Sequence, residues 1–410
     1  TGKERSGALR TSVAVVAMAA LCCAQVAVAG VDEISIGGRF MWDATAWSGV
    51  KEQQQGAWSG IEFLNGTETR RARVFLKGKA YENLAFKIVY DFAEGDEIAL
   101  KDAYLDLTGV PGVGGLRVGQ FQEPLCFNEL TSSKYISFLE RASLNVFAPG
   151  RNAGVMAHDS VSDGRVNYQA GLFLDTGDMA EKRGNDDYSL AARIAYLAAG
   201  EEKSERVVHL GAAFTYFVPS AGVRFSQRPE VHLSEKLVDT GTLVNAENVL
   251  RYGGEVAGVL GPFHFAGEYI RTSIAKSDED NAPEAGRGDV RLDDDGMLSG
   301  FCAEAGYFLT GEHRVYKDGL WDRTKPDSNF LEDGGIGAWE VAVRYSRLDL
   351  SDDNAGILGG RMDNVTLGLN WYLHANARVM LNYVMSTVKD HEDEELGSAN
   401  ALTMRTQIDF

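Results

Sequence analysis

Several scarcities narrow what this chain can be. Beyond its first 28 residues it has no long uncharged apolar run, which excludes a helical membrane protein. Proline is rare, 8 against 46 glycines, a balance that suits many strands with glycine at the turns. Cysteine is nearly missing: Cys22 and Cys23 lie in the amino-terminal run, and only Cys126 and Cys302 remain. These two stand far apart, so one disulfide is conceivable but no disulfide framework. No Cys/His spacing suggests a metal site, and nothing calls for a cofactor. There is no G-x-S-x-G, and the few histidines carry no nucleophile constellation, so an enzyme is not expected and no catalytic residue is assigned. Positive charge is also short: the formal charge is −19, which argues against nucleic acid as a partner.

What is present begins with an export signal. Lys3, Arg5 and Arg10 precede an apolar run from Val13 to Val28, and Ala27-Val28-Ala29 fits the small-x-small cleavage rule. Residues 1–29 therefore read as a secretory signal peptide and 30–410 as the mature domain. A transmembrane helix is the rival, but the run is short, broken by small residues, and followed by no stop-transfer pattern. A lipoprotein signal at Cys22 or Cys23 would follow Leu21, a poor neighbour. The signal holds three Lys/Arg and one Glu, so the remainder carries −21.

At the other end, Leu402, Met404, Thr406, Ile408 and Phe410 alternate with Ala401, Thr403, Arg405, Gln407 and Asp409. Such an alternation ending on an aromatic residue is how outer-membrane barrels close. An ordinary half-buried edge strand gives the same local pattern. Period-two segments recur throughout, predicting strands at 33–42, 68–79, 83–93, 99–107, 114–122, 153–160, 164–174, 188–198, 205–218, 249–260, 262–272, 296–309, 336–349, 361–373, 376–387 and 399–410. Sixteen is an even number, as a single-chain bacterial barrel requires. Their lengths match a tilted span. The fold expected is all-β: a transmembrane antiparallel barrel of about 16 strands in the bacterial outer membrane.

The connections alternate long and short. Taking the first strand as running outward, the long ones (43–67, 123–152, 175–187, 219–248, 273–295) lie outside and the short ones face the periplasm. Connection 310–335 breaks the rule, so it is either a structured periplasmic loop or a miscount. The outer loops hold much acid. One run has Asp278, Glu279, Asp280, Glu284, Asp289, Asp293, Asp294 and Asp295, and another Asp390, Glu392, Asp393, Glu394 and Glu395. They are either a solvated loop surface or a divalent-cation bridge to lipopolysaccharide.

Alternation also assigns the faces. Apolar residues such as Val74, Leu76, Phe86 and Ile88 face lipid. Arg39, Arg71, Arg73, Lys77, Lys79, Lys87, Arg117, Arg165, Arg193, Arg251, Arg344, Arg378 and Arg405 then face in, against Asp91, Asp102, Asp106, Glu255, Glu268, Glu304, Glu340 and Asp409. Sixteen strands are too wide for side chains to fill, so the lumen holds water. A basic excess there favours anions, unless the charges pair and brace the wall. Arg39, Arg71 and Arg73 can form a collecting patch toward the outer end.

Connection 123–152 is too apolar for an exposed loop, with Leu125, Phe127, Leu130, Ile136, Phe138, Leu139, Leu144 and Phe147. Folded into the barrel, it makes the constriction. Lys134 follows Ser132 and Ser133, so a cation and two hydroxyls can meet an oxyanion together. Equally, Lys134 and Arg141 can pair with Glu129 and Glu140. Arg151 ends the segment.

The stretch Gly119-Gln120-Phe121, Glu123-Pro124, Glu129-Leu130-Thr131-Ser132-Ser133-Lys134, Glu140-Arg141 and Ala148-Pro149-Gly150-Arg151-Asn152 resembles the phosphate-selective porin O/P family. Arg70-Arg71-Ala72-Arg73, Tyr90-Asp91-Phe92, Asp102-Ala103-Tyr104, Gly311-Glu312 and Gly337-Ala338-Trp339-Glu340 fit it too, in order. The resemblance implies a trimeric sixteen-stranded porin with an inward third loop that passes small anions such as phosphate. By position it makes Lys134 and Arg141 loop cations and puts Arg71 and Arg73 in an arginine track. The acidic loops depart from what a phosphate channel needs. A general-diffusion porin, its lumen charges cancelling, is the alternative.

Overall fold

The computed structural model describes residues 31–53, 61–93, 98–176, 180, 187–278 and 288–410. The expected signal peptide, and Glu279, Asp280 and Glu284 of the acidic loop, lie outside the described residues. Sixteen antiparallel strands close one barrel, each bonded to its neighbours in sequence. They are β1 (Val31–Glu52), β2 (Gly66–Ala80), β3 (Leu84–Asp91), β4 (Ala99–Val110), β5 (Gly114–Gln122), β6 (Arg151–Val161), β7 (Val166–Leu174), β8 (Tyr188–Gly200), β9 (Arg206–Val218), β10 (Ala246–Leu260), β11 (Phe263–Lys276), β12 (Gly296–Phe308), β13 (Ala338–Asp352), β14 (Ile357–His374), β15 (Ala377–Lys389) and β16 (Glu395–Asp409).

The seam lies between β1 and β16, with Arg39 opposite Asp409. Gly38 and Phe410 exchange both backbone bonds, at 3.0 and 3.1 Å. A Cβ on Gly37 would stand 2.3 Å from the Phe410 carbonyl oxygen, so the closing strand fits only against glycine there.

Every strand expected from the period-two pattern forms. The largest difference is β1, which runs ten residues further, to Glu52. Its added inward residues are polar (Asp43, Thr45) and so read as loop, but Asp43 is buried against Arg405, 2.7 Å away. Arg165, expected on a strand, sits in the turn before β7, where Ser162, Asp163 and Gly164 all take positive φ. In β2, Met41 faces Arg71 while Trp42 faces Thr69, so Arg70 is the extra residue of a bulge. Such a bulge re-aims side chains, and Arg70 points in together with Arg71.

The outer face is apolar: Ile34, Ile36, Phe40, Leu105, Val118, Leu172 and Ile194 are all exposed. Near one rim Trp339 and Trp371 stack at 5.0 Å, as an interfacial aromatic girdle does.

Much of the lumen is filled by connections. Loop 123–150 folds inward, as its composition led us to expect. It carries one helical turn, α1 (Phe127–Leu130), and a 3₁₀ turn over Ser143–Phe147. Leu144 and Phe147 join Phe225, Leu243, Ile274, Leu348, Leu350 and Met362 in one buried cluster. This is a globular-type core enclosed by a barrel. The long inner connection, 309–337, is structured rather than a miscount. Its hairpin pairs Tyr316–Lys317 with Leu320–Trp321, and Tyr316 and Trp321 pack with Phe127 under α1.

Candidate functional site: the constricted lumen

Loop 123–150 seats on the wall of β11–β16. Asn128 N–H and the Cys126 thiol donate to Glu268 on β11, at 2.6 and 2.8 Å. Burial and then the Glu268 charge push the Cys126 thiol well up. Further along, Ser137 donates to Glu340 at 2.6 Å, and Arg378 donates to the Ile136 carbonyl at 2.8 Å. Arg405 reaches the Leu139 carbonyl at 2.5 Å and the Glu140 carboxylate at 2.7 Å. The Arg344 guanidinium lies over the Phe138 ring at 4.4 Å.

A second loop holds the first down from outside. Glu230, in connection 219–245, is buried and accepts from Arg344 at 2.5 Å, Ser346 at 2.5 Å, Thr366 at 3.1 Å and the Ser143 N–H at 2.9 Å. Two residues later His232 Nδ1 lies 2.7 Å from Glu68 on β2. This strap therefore crosses from the β13–β14 wall to the β2 wall above the constriction.

The cations expected from the sequence divide into two sets. Most are paired. Arg73 meets Asp91 at 2.6 Å, Lys87 and Arg151 both meet Asp102 at 2.7 Å, and Arg117 meets Asp106 at 2.6 Å. Arg39 and Arg71, like Arg165, Arg251 and Arg378, have no carboxylate within ion-pair distance among the described residues. Arg39 donates to Ser133 Oγ at 2.7 Å and lies in the fields of Arg73, Arg151 and Arg141, with Asp102 opposing. Arg71 is 5% exposed, rests on the Met41 sulfur at 3.7 Å, and its Nε has no partner. Lys77 lies over Phe75 at 5.8 Å, and with Glu33, Lys79 and Lys87 it lines an open volume of about 240 Å³ toward the inner end.

The expected Ser132, Ser133 and Lys134 group does not converge. Ser133 turns to Arg39, Ser132 Oγ caps the Lys134 N–H at 3.4 Å, and Lys134 Nζ points to Asp409 at 3.5 Å. Lys134 thus pairs with neither Glu129 nor Glu140, because its backbone runs along β16 rather than back over its own loop. Burial lowers the Lys134 pKa, and Asp409 offsets this only in part. Arg141 does pair with Glu129, at 3.1 Å, and also donates to the carbonyls of Asn128, Glu129 and Thr131. Glu129 is buried and Glu140 largely so, which opposes ionisation. Arg141 and Arg151 hold Glu129 below the usual range, and Arg70, Arg405 and Arg71 hold Glu140 well below it.

Four residues that shape the site went unassigned from sequence. Arg70 grips Glu140 through two bonds of 2.9 Å, and only a bulge reveals it as inward. Glu230 gives no local signal. Arg314 and Arg323 come up from the inner connection: Arg314 is buried beside Glu340, and Arg323 binds Asp409. Above the constriction, Arg70, Arg71, Arg141 and Arg228 share a recess of about 260 Å³ with Glu140 and Glu230.

The model of the family "Phosphate-selective porin O and P" matches residues 34–410. The chain belongs to that family. Among its relatives, Porin O of Pseudomonas aeruginosa is 25% identical over 386 residues, covering 85% of this chain and 82% of Porin O. An uncharacterised Caulobacter vibrioides protein is 31% identical over 332 residues, 78% of this chain. The match spans only 62% of that relative's own length. An anion-selective porin of Comamonas acidovorans shares the fold, with TM-score 0.54 at 13% identity, covering 92% of this chain and 99% of the other. This porin is accordingly an outer-membrane barrel.

Proposed function

We propose that this porin passes small anions, phosphate or similar oxyanions, by passive diffusion. The observation that carries the proposal is the pair Arg39 and Arg71, two inward guanidinium groups without a carboxylate partner among the described residues. Around them stand Arg73, Arg141 and Arg151, whose fields overlap at Arg39. In a narrow passage with low-dielectric walls, uncancelled charge of one sign raises the local concentration of counter-ions. An anion entering at the recess meets Arg70, Arg71 and Arg228, passes Arg39, Arg141 and Arg151, and leaves along Lys87 and Lys77. Lys134, Ser132 and Ser133 serve this route indirectly, by placing the loop against Arg39 and Asp409.

The second reading, a general-diffusion porin, draws on the pairs Arg73–Asp91, Arg117–Asp106 and Lys87–Asp102, which cancel much of the inward charge. The homotrimer that the resemblance implies, and export through cleavage after Ala29, belong to the same proposal.

The reversal potential of the purified protein in a planar bilayer under a KCl gradient tests it. Anion selectivity, with current blocked by added phosphate, is expected. A near-zero or cation-selective potential would leave the general porin.

A further inference from the structure

At the outer ends of β11–β15, charge faces the wrong way for a lipid-exposed wall. The inward residues there are apolar and closed off: Leu348, Leu350 and Met362 are 0% exposed and Val388 1%. By the strand period their alternates point out of the barrel. Those alternates are Arg271 on β11, Arg347 and Asp349 on β13, Arg361 and Asp363 on β14, and Lys389 on β15. The register aligns them in two adjacent rows. One runs Arg271, Ser299, Asp349, Arg361, Lys389, and the other Tyr269, Phe301, Arg347, Asp363, Thr387.

Their height is that of the outer edge of the apolar band, about 25 Å tall, where the headgroups begin. The stacked Trp339 marks the inner girdle, and Arg347 lies eight residues further along the same strand. That is about 26 Å of strand, or roughly 20 Å along the membrane normal after tilt. Aromatic residues stand level with Arg347 and one step below it, with Phe301 edge-on to Tyr345 at 5.5 Å.

The charges do not all cancel. Asp363 takes Arg347 and the Tyr345 hydroxyl, both at 2.6 Å, and has Arg361 at 3.6 Å. Arg361 and Lys389 share Asp393. Arg271 is exposed, and its only bond is from Nε to the Met297 sulfur. Among the described residues it has no carboxylate partner. An exposed guanidinium at the edge of hydrocarbon needs an anion, and phosphate suits its planar donor set.

We propose that this outward face binds the phosphorylated headgroup of an outer-leaflet glycolipid, with Arg271 and Arg347 on phosphate and Arg361 and Lys389 alongside. Two β-spacings between β11 and β13, with a two-residue offset along the strand, put Arg271 and Arg347 about 12 Å apart at the backbone, within one such headgroup. The site is separate from the pore, so it stands or falls independently of ion selectivity.

Native mass spectrometry of the full chain in detergent tests this, with diphosphoryl lipid A and phosphatidylglycerol as probes. The wild type should retain lipid A and not phosphatidylglycerol. The double variant Arg271→Gln/Arg347→Gln should lose at least ten-fold of the bound lipid A. Arg206→Gln, on the outer face near the periplasmic end, should lose none. Unchanged single-channel conductance certifies that the variants fold. Equal retention by the double variant would overturn the proposal and leave Arg347–Asp363 an internal brace. Equal retention of phosphatidylglycerol would overturn it too. So would an oligomer that dissociates in the double variant with lipid unchanged, since that marks a contact between copies.

Discussion

Arg39 on β1 donates to Ser133 Oγ at 2.7 Å, joining the barrel wall to the apex of the constriction loop with no carboxylate between them. The bond orients the guanidinium beside the loop without placing a carboxylate on it. Removing that charge should be felt directly in the current. At about 5 Å in a water-like medium one unit charge is worth roughly 0.8 kcal/mol. Arg39→Gln should therefore lower the anion/cation permeability ratio about sixteen-fold, about four-fold from each ion, and Arg39→Glu further. An unchanged reversal potential would remove Arg39 from the pathway.

Lys134 is a subtler case, since Asp409 stands 3.5 Å from it. Lys134→Glu places two acids together at the inner end of the loop. We expect a smaller loss of anion preference than for Arg39→Gln, accompanied by noisier single-channel current as the loop end lifts from β16. If selectivity instead drops more than for Arg39→Gln, Lys134 and not Arg39 is the principal loop-level charge.

Glu140 predicts an acid sensitivity. Burial opposes its ionisation, but Arg70, Arg405 and Arg71 hold its pKa well below the usual 4.5. A carboxyl depressed on folding stabilises fully above its unfolded value, and that stability is lost as pH falls through the folded one. The constriction should thus hold at and above about pH 5 and loosen only in stronger acid. Glu140→Gln should loosen it at neutral pH, because Arg70 loses its carboxylate partner while Arg405 keeps Asp43, at a cost of about 1–3 kcal/mol. Conductance against pH separates the two proteins. A wild type and variant with the same profile would contradict the role of Glu140.

Glu230 anchors the strap across the mouth through Arg344, Ser346, Thr366 and the Ser143 N–H. Glu230→Ala leaves the Arg344 guanidinium buried without this partner, at a cost of about 3–5 kcal/mol. Limited proteolysis of the folded porin should then cut within 219–245, where the wild type resists. Equal resistance would mean that the apolar contacts of Phe225 and Leu243 suffice.

How much of this was legible in the sequence follows from what each contact depends on. The strands were, because lipid on one side and lumen on the other force a period of two that survives in every span. The burial of loop 123–150 was, because a segment with Phe127, Phe138 and Phe147 has nowhere else to go. Partner choice was not. Lys134 met Asp409, 275 residues away, rather than the nearby Glu129 or Glu140. Arg70 depended on a one-residue bulge, which flips a face without altering composition. Glu230 sits in a polar segment whose inward path is set by Arg344, over a hundred residues downstream.

The strap, the constriction loop and the inner hairpin rest largely on the wall from β9 to β16, while Arg39, Arg71 and Arg73 gather on β1 and β2. On the proposed anion route, the cross-section divides by azimuth into a structural half and a conducting half. Random substitutions should sort the same way: lesions in one arc would deplete folded protein from the membrane, and lesions in the other would leave its abundance intact and change only what flows through it.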